Sequence, residues 1–182
     1  MKTDKKSLLL WGVLLSMLTI IPGALAALSG TAAVSGNPSA TLDLSVTGSD
    51  SFDPMVVGTN MNTTSNSVTV TVVSNSDWGV TVHDALTASK PADTVGKMAE
   101  WDGTSAYVVD GYKLANAFEV GSDASTFVTL TGAPSNALYS SSIAGTTIKY
   151  PFFRQTVVDE DQYLKDAGHT YRMVVTFTAA SV

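Results

Sequence analysis

The sequence predicts an all-β protein: an antiparallel, immunoglobulin-like β-sandwich of seven to eight strands that follows a signal peptide. Three observations support this prediction. Short runs alternate between apolar and polar residues, which is the two-residue period of a half-buried strand. Turn-forming residues separate these runs about every 8–12 residues, as in sandwiches. The chain has no sustained helical period and no alternation of strands with helices, which disfavours a Rossmann or barrel enzyme.

Composition narrows the class of protein further. The chain has 182 residues, a formal net charge of −6 and no cysteine. Its length fits one ordinary domain. The lack of cysteine excludes a disulfide scaffold, a thiolate metal site and a cysteine nucleophile. Because a nucleic-acid binder needs a basic surface, the acidic balance argues against nucleic acid as a partner. No cofactor is expected.

The N-terminus has the three-part layout of a secretory signal peptide. Lysines near the start precede an uncharged apolar run, which Pro22 and Gly23 interrupt before the small residues Ala24 and Ala26. We predict residues 1–26 as a signal peptide and a secreted or cell-surface location. The apolar run is short for a membrane span of about 20 residues, so membrane contact is expected only before cleavage. An uncleaved anchor is the alternative.

After the signal peptide we predict two parts. Residues 27–40 are small and mostly polar, which favours an extended arm or linker. The β-sandwich domain then occupies 41–182. Its first strand is expected at 41–47, where leucine and valine alternate with polar residues.

The clearest strands lie at 68–73 and 78–83, where apolar and polar residues alternate without interruption. Four turn-forming residues, at 74–77, separate them. This arrangement predicts a β-hairpin.

The second half of the chain is less regular. Residues 84–111 predict a long connection with one short strand near Tyr107, and 134–142 a turn-rich bridge. A strand is predicted at 146–158, with Pro151 at an edge or bulge. The last strand is predicted at 170–179. Four residues share its apolar face: Tyr171, Met173, Val175 and Phe177.

The residues available for catalysis favour a protein that is not an enzyme. His83 and His169 could each join a Ser–His–Asp site, since serines are abundant, but the chain has no G-x-S-x-G motif. We therefore interpret both histidines as ordinary residues at strand ends.

Acidic residues offer the candidate metal ligands. Asp159, Glu160, Asp161 and Asp166 could supply oxygen ligands to calcium, although they lack the spacing of a preformed calcium loop. Glu100 and the Asp102–Gly103 pair are a second candidate. A solvated acidic loop is the alternative interpretation.

Two tryptophans and one asparagine are further candidates. Trp78 begins a strand, which favours a core anchor between two sheets, whereas Trp101 lies in an acidic connection and could contact a sugar. Asn62 begins the N-x-[ST] sequence Asn62-Thr63-Thr64 in an expected loop, and is a candidate glycosylation site.

Two stretches resemble a known group of proteins. SNSDWGVTV, which ends at Val82, and AGHTYRMVVTFTA, which ends at Ala179, resemble WxL-like and related immunoglobulin-like surface proteins of bacteria and archaea. The resemblance implies an immunoglobulin-like fold and cell-wall binding, although the triplet here is Trp78-Gly79-Val80 rather than W-x-L.

The stretch from Thr31 to Leu44 also resembles the start of secreted fibre-forming proteins of the TasA and archaeal bundling-pilus type.

Three functions are therefore open. The first is a non-enzymatic secreted or cell-surface structural or adhesion domain, with self-association or other cell-surface components as partners. The second is an extracellular, pilus-like fibre subunit assembled by donor-strand exchange, in which the arm at 27–40 adds to a neighbour's open sheet edge. The third is a calcium- or carbohydrate-binding module.

Overall fold

The computed structural model describes residues 35–62, 67–87, 89–134 and 136–182. The predicted signal peptide, residues 1–26, and residues 27–34 of the predicted arm lie outside this part of the chain. Residues 39–182 form one compact unit. Within the described ranges, no helix has the length and apolar character that crossing a bilayer requires.

The prediction of an all-β antiparallel fold is confirmed. The described residues contain twelve strands and one 3₁₀ turn, Ala92–Thr94, rather than the expected seven to eight strands. The strands are β1 (Leu42–Gly48), β2 (Gly58–Met61), β3 (Val68–Ser74), β4 (Trp78–His83), β5 (Ala99–Trp101), β6 (Glu119–Gly121), β7 (Phe127–Thr129), β8 (Asn136–Ser141), β9 (Gly145–Lys149), β10 (Phe152–Val157), β11 (Thr170–Arg172) and β12 (Thr176–Ser181).

These strands form four antiparallel sheets. Three are larger, in the orders β1-β3-β9, β12-β4-β8 and β2-β10-β6-β7, and the fourth is the pair β11-β5. The larger sheets approach one another where β1 lies beside β12 and where β7 lies beside β8. One hydrophobic core lies between them, with buried side chains from β3, β4, β6, β8 and β10.

The predicted hairpin of the third and fourth strands is wrong. β3 pairs with β1 and β9, whereas β4 pairs with β12 and β8, so residues 75–77 carry the chain from one sheet to another. The physical reason is burial. Each strand hides its whole apolar face, including Val72 of β3 and Val80 of β4, which are both 0% exposed. Facing each other across the core covers these residues better than lying side by side.

Two other strand assignments also change. The stretch predicted as one strand at 146–158 is β9 and β10, which belong to different sheets, because the chain leaves one ladder at Tyr150–Pro151 and joins another. The expected bridge at 134–142 contains β8, which pairs with β4. Because proline has no N–H to donate to a ladder, Pro151 explains why the predicted strand at 146–158 divides into β9 and β10.

The predicted last strand is interrupted. β11 pairs with β5 and β12 pairs with β4, while Met173–Val175 between them belongs to neither ladder. The predicted inward face is nevertheless correct, since Tyr171, Met173, Val175 and Phe177 all pack against the core. Met173, Val174 and Val175 therefore take part in no described strand pairing.

Candidate functional site

An open apolar groove of about 860 Å³ lies at one end of the sandwich. Its floor is the hydrophobic core itself, because it is lined by core residues from four parts of the chain: Val68, Met98, Leu114, Phe118 and Phe153. Each of these is at least nine-tenths buried. The groove therefore reaches inward to residues that the domain itself already buries.

One wall of the groove is the end of β1. Leu42, Leu44 and Val46 lie on the same face of this strand, because side chains alternate. The first two are partly buried against the core, but Val46 remains 41% exposed and lines the groove. β1 pairs with β3 along one edge, and no ladder is formed along its other edge among the described strands.

The opposite wall is the interrupted segment of the last strand. Met173, Val174 and Val175 line the groove, and Phe177 of β12 continues the same wall. These residues are intermediate in burial. The opening thus lies between the second edge of β1, which forms no described ladder, and the apolar segment Met173–Val175, which belongs to no described strand.

Two loops form the rims. The loop after β1 contributes Phe52 and Met55, which pack on the core, and Val57, which is 61% exposed. The loop between β10 and β11 contributes Tyr163 and Leu164. Three aspartates also line the opening: Asp50, Asp53 and Asp161. Arg172 and His169 line the opening too, but the three aspartates outnumber them, so the site is apolar inside and its margin is acidic overall.

The β10–β11 loop is fixed to the domain by two carboxylates. Asp161 accepts hydrogen bonds from the backbone N–H groups of Ala115 (2.7 Å) and Val158 (2.9 Å). Glu100 of β5 lies 2.7 Å from Nδ1 of His169 and accepts the N–H of Tyr112 at 2.9 Å. The Tyr112 N–H and, secondarily, the His169 side chain hold the pKa of the buried Glu100 below its usual value. Both contacts keep the rim in place.

The predicted calcium ligands do not converge on one point among the described residues. Asp159 and Glu160 are exposed, while Asp161 is used to hold backbone N–H groups. Asp166 instead lies near a different pair: ligand atoms of Glu100, Asp166 and His169 come within 4.8 Å of one another. This set contains an imidazole and is partly closed by the Glu100–His169 contact, so it differs from the oxygen-rich coordination typical of calcium.

The other acidic candidate, Asp102, has a local structural role. Its carboxylate accepts the backbone N–H groups of Thr104, Ser105 and Ala106. These bonds stabilise the charged form and lower the pKa of Asp102. Gly103 has φ of +79°, and a Cβ there would lie 2.3 Å from the carbonyl oxygen of Gly168, so the turn requires glycine.

The two tryptophans occupy different environments. Trp78 is 1% exposed and lies in the core. Trp101 is intermediate in burial, and the guanidinium of Arg172 lies over its ring at 4.1 Å. The ring of Tyr107 meets it edge-on at a centroid distance of 5.2 Å. Arg172 therefore covers one face that a sugar would need for stacking.

The histidines and the candidate glycosylation site lie in different parts of the chain, and of the three only His169 lines the groove. His83 ends β4, and His169 precedes β11. The described hydrogen bonds pair neither imidazole with a serine hydroxyl. Asn62 is intermediate in burial, and its backbone N–H donates to Phe153 O at 3.0 Å. The other two residues of its triplet, Thr63 and Thr64, are outside the described chain.

Comparison with known proteins assigns no family to this chain. No family model matches the chain, and no curated protein matches it. A search of solved structures finds similarity to the crystal structure of the CsuC-CsuE chaperone–tip adhesion subunit pre-assembly complex from archaic chaperone-usher Csu pili of Acinetobacter baumannii. The identity is 14% and the TM-score is 0.39, with 76% of this chain covered. The match spans 39% of that chain.

Proposed function

We propose that this protein is a non-enzymatic structural domain of the cell exterior, and that it self-associates through a β-strand held in the apolar groove. The observation that carries the proposal is the position of Val46. It lies on the core-facing side of β1, yet it is 41% exposed, and β1 forms no ladder along its second edge among the described strands.

A β-strand fits this groove better than a compact ligand does. A strand entering between β1 and Met173–Val175 would meet backbone N–H and C=O groups at an open sheet edge, which is the basis of strand addition. Its alternate side chains would contact the partly exposed walls of the groove, Val46 and Met173–Val175. Burial of an aliphatic side chain is worth about 1.5–3 kcal/mol, so two such side chains would add to the affinity from the backbone bonds and offset part of the entropy lost on association.

The N-terminal sequence pattern, which favours export, supports a location outside the cell. A structural role agrees with the apolar interior of the groove, since an added strand needs apolar cover and backbone partners rather than reactive groups. The acidic rim disfavours nucleic acid as the occupant.

Two valines on neighbouring strands provide the test. Val46 of β1 lines the groove, whereas Val73 of β3 is 42% exposed and is not among the groove-lining residues. We expect the unmodified protein and Val73→Asp to self-associate with increasing concentration in sedimentation velocity. Val46→Asp should remain monomeric, because it places a charge where the strand must bind.

Circular dichroism serves as the control that each variant is folded. The proposal fails if the folded unmodified protein stays monomeric at every concentration, or if Val46→Asp self-associates as strongly as Val73→Asp.

A further inference from the structure

We propose that Glu100, Asp166 and His169 form a binding site for a divalent transition-metal ion such as zinc, which joins the β10–β11 loop to β5. The site goes beyond the proposed function, because it lies at the rim of the groove and is independent of what occupies the groove. Each of the three side chains offers one ligand atom, and these atoms all lie within 4.8 Å of one another.

The pairing of β5 with β11 brings two of the ligands together. In this antiparallel ladder Glu100 is opposite Tyr171, so their side chains lie on the same face. His169 directly precedes β11, two residues before Tyr171, and continues the alternation of that strand onto the same face. Diagonal neighbours of this kind are within reach of long side chains. Nδ1 of His169 accordingly lies 2.7 Å from Oε1 of Glu100.

A tight turn adds the third ligand. The N–H of His169 donates to the carbonyl oxygen of Asp166 at 3.2 Å, which closes the turn 166–169. Gly168 in this turn has φ of +84°, a left-handed conformation that glycine adopts without strain. Oδ2 of Asp166 lies 4.0 Å from Nδ1 of His169. Ligands from two distant segments of the chain therefore meet at one point.

The burial of Glu100 favours a cation at this point. Its side chain is 7% exposed, and a buried carboxylate is costly unless a positive charge or a metal ion accompanies it. None of the described ion pairs joins Glu100 to a lysine or an arginine. The buried carboxylate of Asp84, by contrast, has Lys90 beside it. Oε2 of Glu100 accepts the N–H of Tyr112 at 2.9 Å, which directs Oε1 toward the cluster.

The ligand atoms favour a transition-metal ion over calcium. Zinc binds imidazole nitrogen and carboxylate oxygen, whereas calcium takes six to eight oxygen ligands. Bonds of about 2.0–2.2 Å in a tetrahedron separate neighbouring ligand atoms by about 3.3 Å. The separations from Nδ1 of His169, 2.7 Å to Glu100 and 4.0 Å to Asp166, lie on either side of that value. Small movements of the side chains therefore produce the coordination geometry.

The ligands are accessible from solvent. The Asp166 side chain is 77% exposed and that of His169 is 20% exposed, so an ion reaches them from the surface. Binding replaces the contact between Nδ1 and Oε1: the imidazole stays neutral with its proton on Nε2, and Nδ1 coordinates the metal together with the two carboxylates. Water takes the fourth position. The ion would join β5 to the loop whose residues Tyr163 and Leu164 line the groove.

Isothermal titration calorimetry with zinc chloride tests the site. The unmodified protein is first treated with EDTA and then returned to buffer without chelator. We expect one zinc ion to bind per chain. His169→Gln and Asp166→Asn should weaken binding at least about tenfold, since losing even an outer partner of a metal ligand costs about 10–100-fold in affinity. Asp166→Asn is the sharper variant, because a change at so exposed a side chain has little effect on folding.

Matched residues outside the cluster supply the controls. His83 is the other of the two histidines in the chain, and Asp159 is an exposed aspartate in the same loop as Asp166. His83→Gln and Asp159→Asn should bind zinc like the unmodified protein. NMR of the two imidazole rings gives a second readout, in which zinc should shift the ring resonances of His169 and leave those of His83 unchanged. Calcium chloride at the same concentrations should produce neither signal.

The inference is wrong if the unmodified protein binds no zinc, or if Asp166→Asn and His169→Gln, shown to be folded by circular dichroism, bind zinc as tightly as the control variants. Calcium binding as tight as that of zinc would contradict the assignment to a transition-metal ion. The outcomes are separate from those of the proposed function. A protein that stays monomeric but binds zinc through this cluster would contradict the proposed function and support the metal site, and one that self-associates but binds no zinc would do the reverse.

Discussion

Lys90 Nζ lies 2.5 Å from Oδ2 of Asp84, and both side chains are shielded from solvent. The same Asp84 oxygen accepts the N–H of Gly96, while Lys90 also donates to the carbonyl of Lys97 and contacts Sδ of Met173. Burial lowers the pKa of Lys90, and Asp84 partly opposes this effect. Since Met173 lines the groove, the ion pair connects residues 84–97 to one groove wall.

Breaking this ion pair should strongly destabilise the domain. Lys90→Met leaves the Asp84 carboxylate buried without its cation, and the loss of one partner of a buried pair costs about 3–5 kcal/mol. Urea unfolding measures the change. Lys113→Met is the control, because its contact with Asp93 is at the surface and should matter far less. A loss for Lys90→Met no larger than that for the control would contradict the structural role of the pair.

Glu100 should make stability depend on acid pH. Its folded-state pKa lies below the usual 4.5, so the stability that it contributes is complete above pH 4.5 and is lost as the pH falls through the folded value. Glu100→Gln should flatten the decline of the unfolding free energy below pH 4.5. Glu160→Gln, at an exposed position, should keep the profile of the unmodified protein. Parallel profiles for the unmodified protein and Glu100→Gln would show that the carboxylate is not held in its charged form.

Trp78→Ala should destabilise the fold by about 3–5 kcal/mol, the usual cost of removing a large buried aromatic side chain. Trp78 is 1% exposed at the start of β4. Trp101→Ala should cost less, because Trp101 is only partly buried. Thermal and urea unfolding of both variants measure the difference, and equal losses would argue against Trp78 as the core anchor.

Gly48→Ala should destabilise the end of β1 at the groove. Gly48 has φ of +96°, and a Cβ there would lie 1.9 Å from the carbonyl oxygen of Ser67. Gly145→Ala is a matched control, since Gly145 has φ of +115° but no atom within 4 Å of the added Cβ. Left-handed strain of about 1–3 kcal/mol applies to both, so the clash alone should make Gly48→Ala the less stable variant in urea unfolding. Equal stability would show that Ser67 moves freely.

Local alternation in the sequence predicted the faces of the strands but not their partners. The inward positions of Tyr171, Met173, Val175 and Phe177 follow from a period of two, which is set by each strand alone. The change of sheet between β3 and β4 depends on contacts with strands far along the chain, so the same pattern was mistaken for a hairpin.

The groove could not be predicted from the sequence, because it depends on which apolar side chains the neighbouring strands leave exposed. Val46 continues the pattern of Leu42 and Leu44, and nothing in that pattern distinguishes the covered residues from the exposed one. The Glu100–His169 contact was also missed, because it joins residues 69 positions apart.

Hydrogen–deuterium exchange on the assembled protein tests the central claim most directly. The comparison is between the unmodified protein at a concentration where it is assembled and the same protein diluted to the monomer. If a strand fills the groove, backbone amides of Leu44–Gly48 and Met173–Val175 should exchange more slowly in the assembled protein, because β1 gains a partner along its open edge. Unchanged exchange at both segments, with protection appearing elsewhere on the domain, would contradict the account.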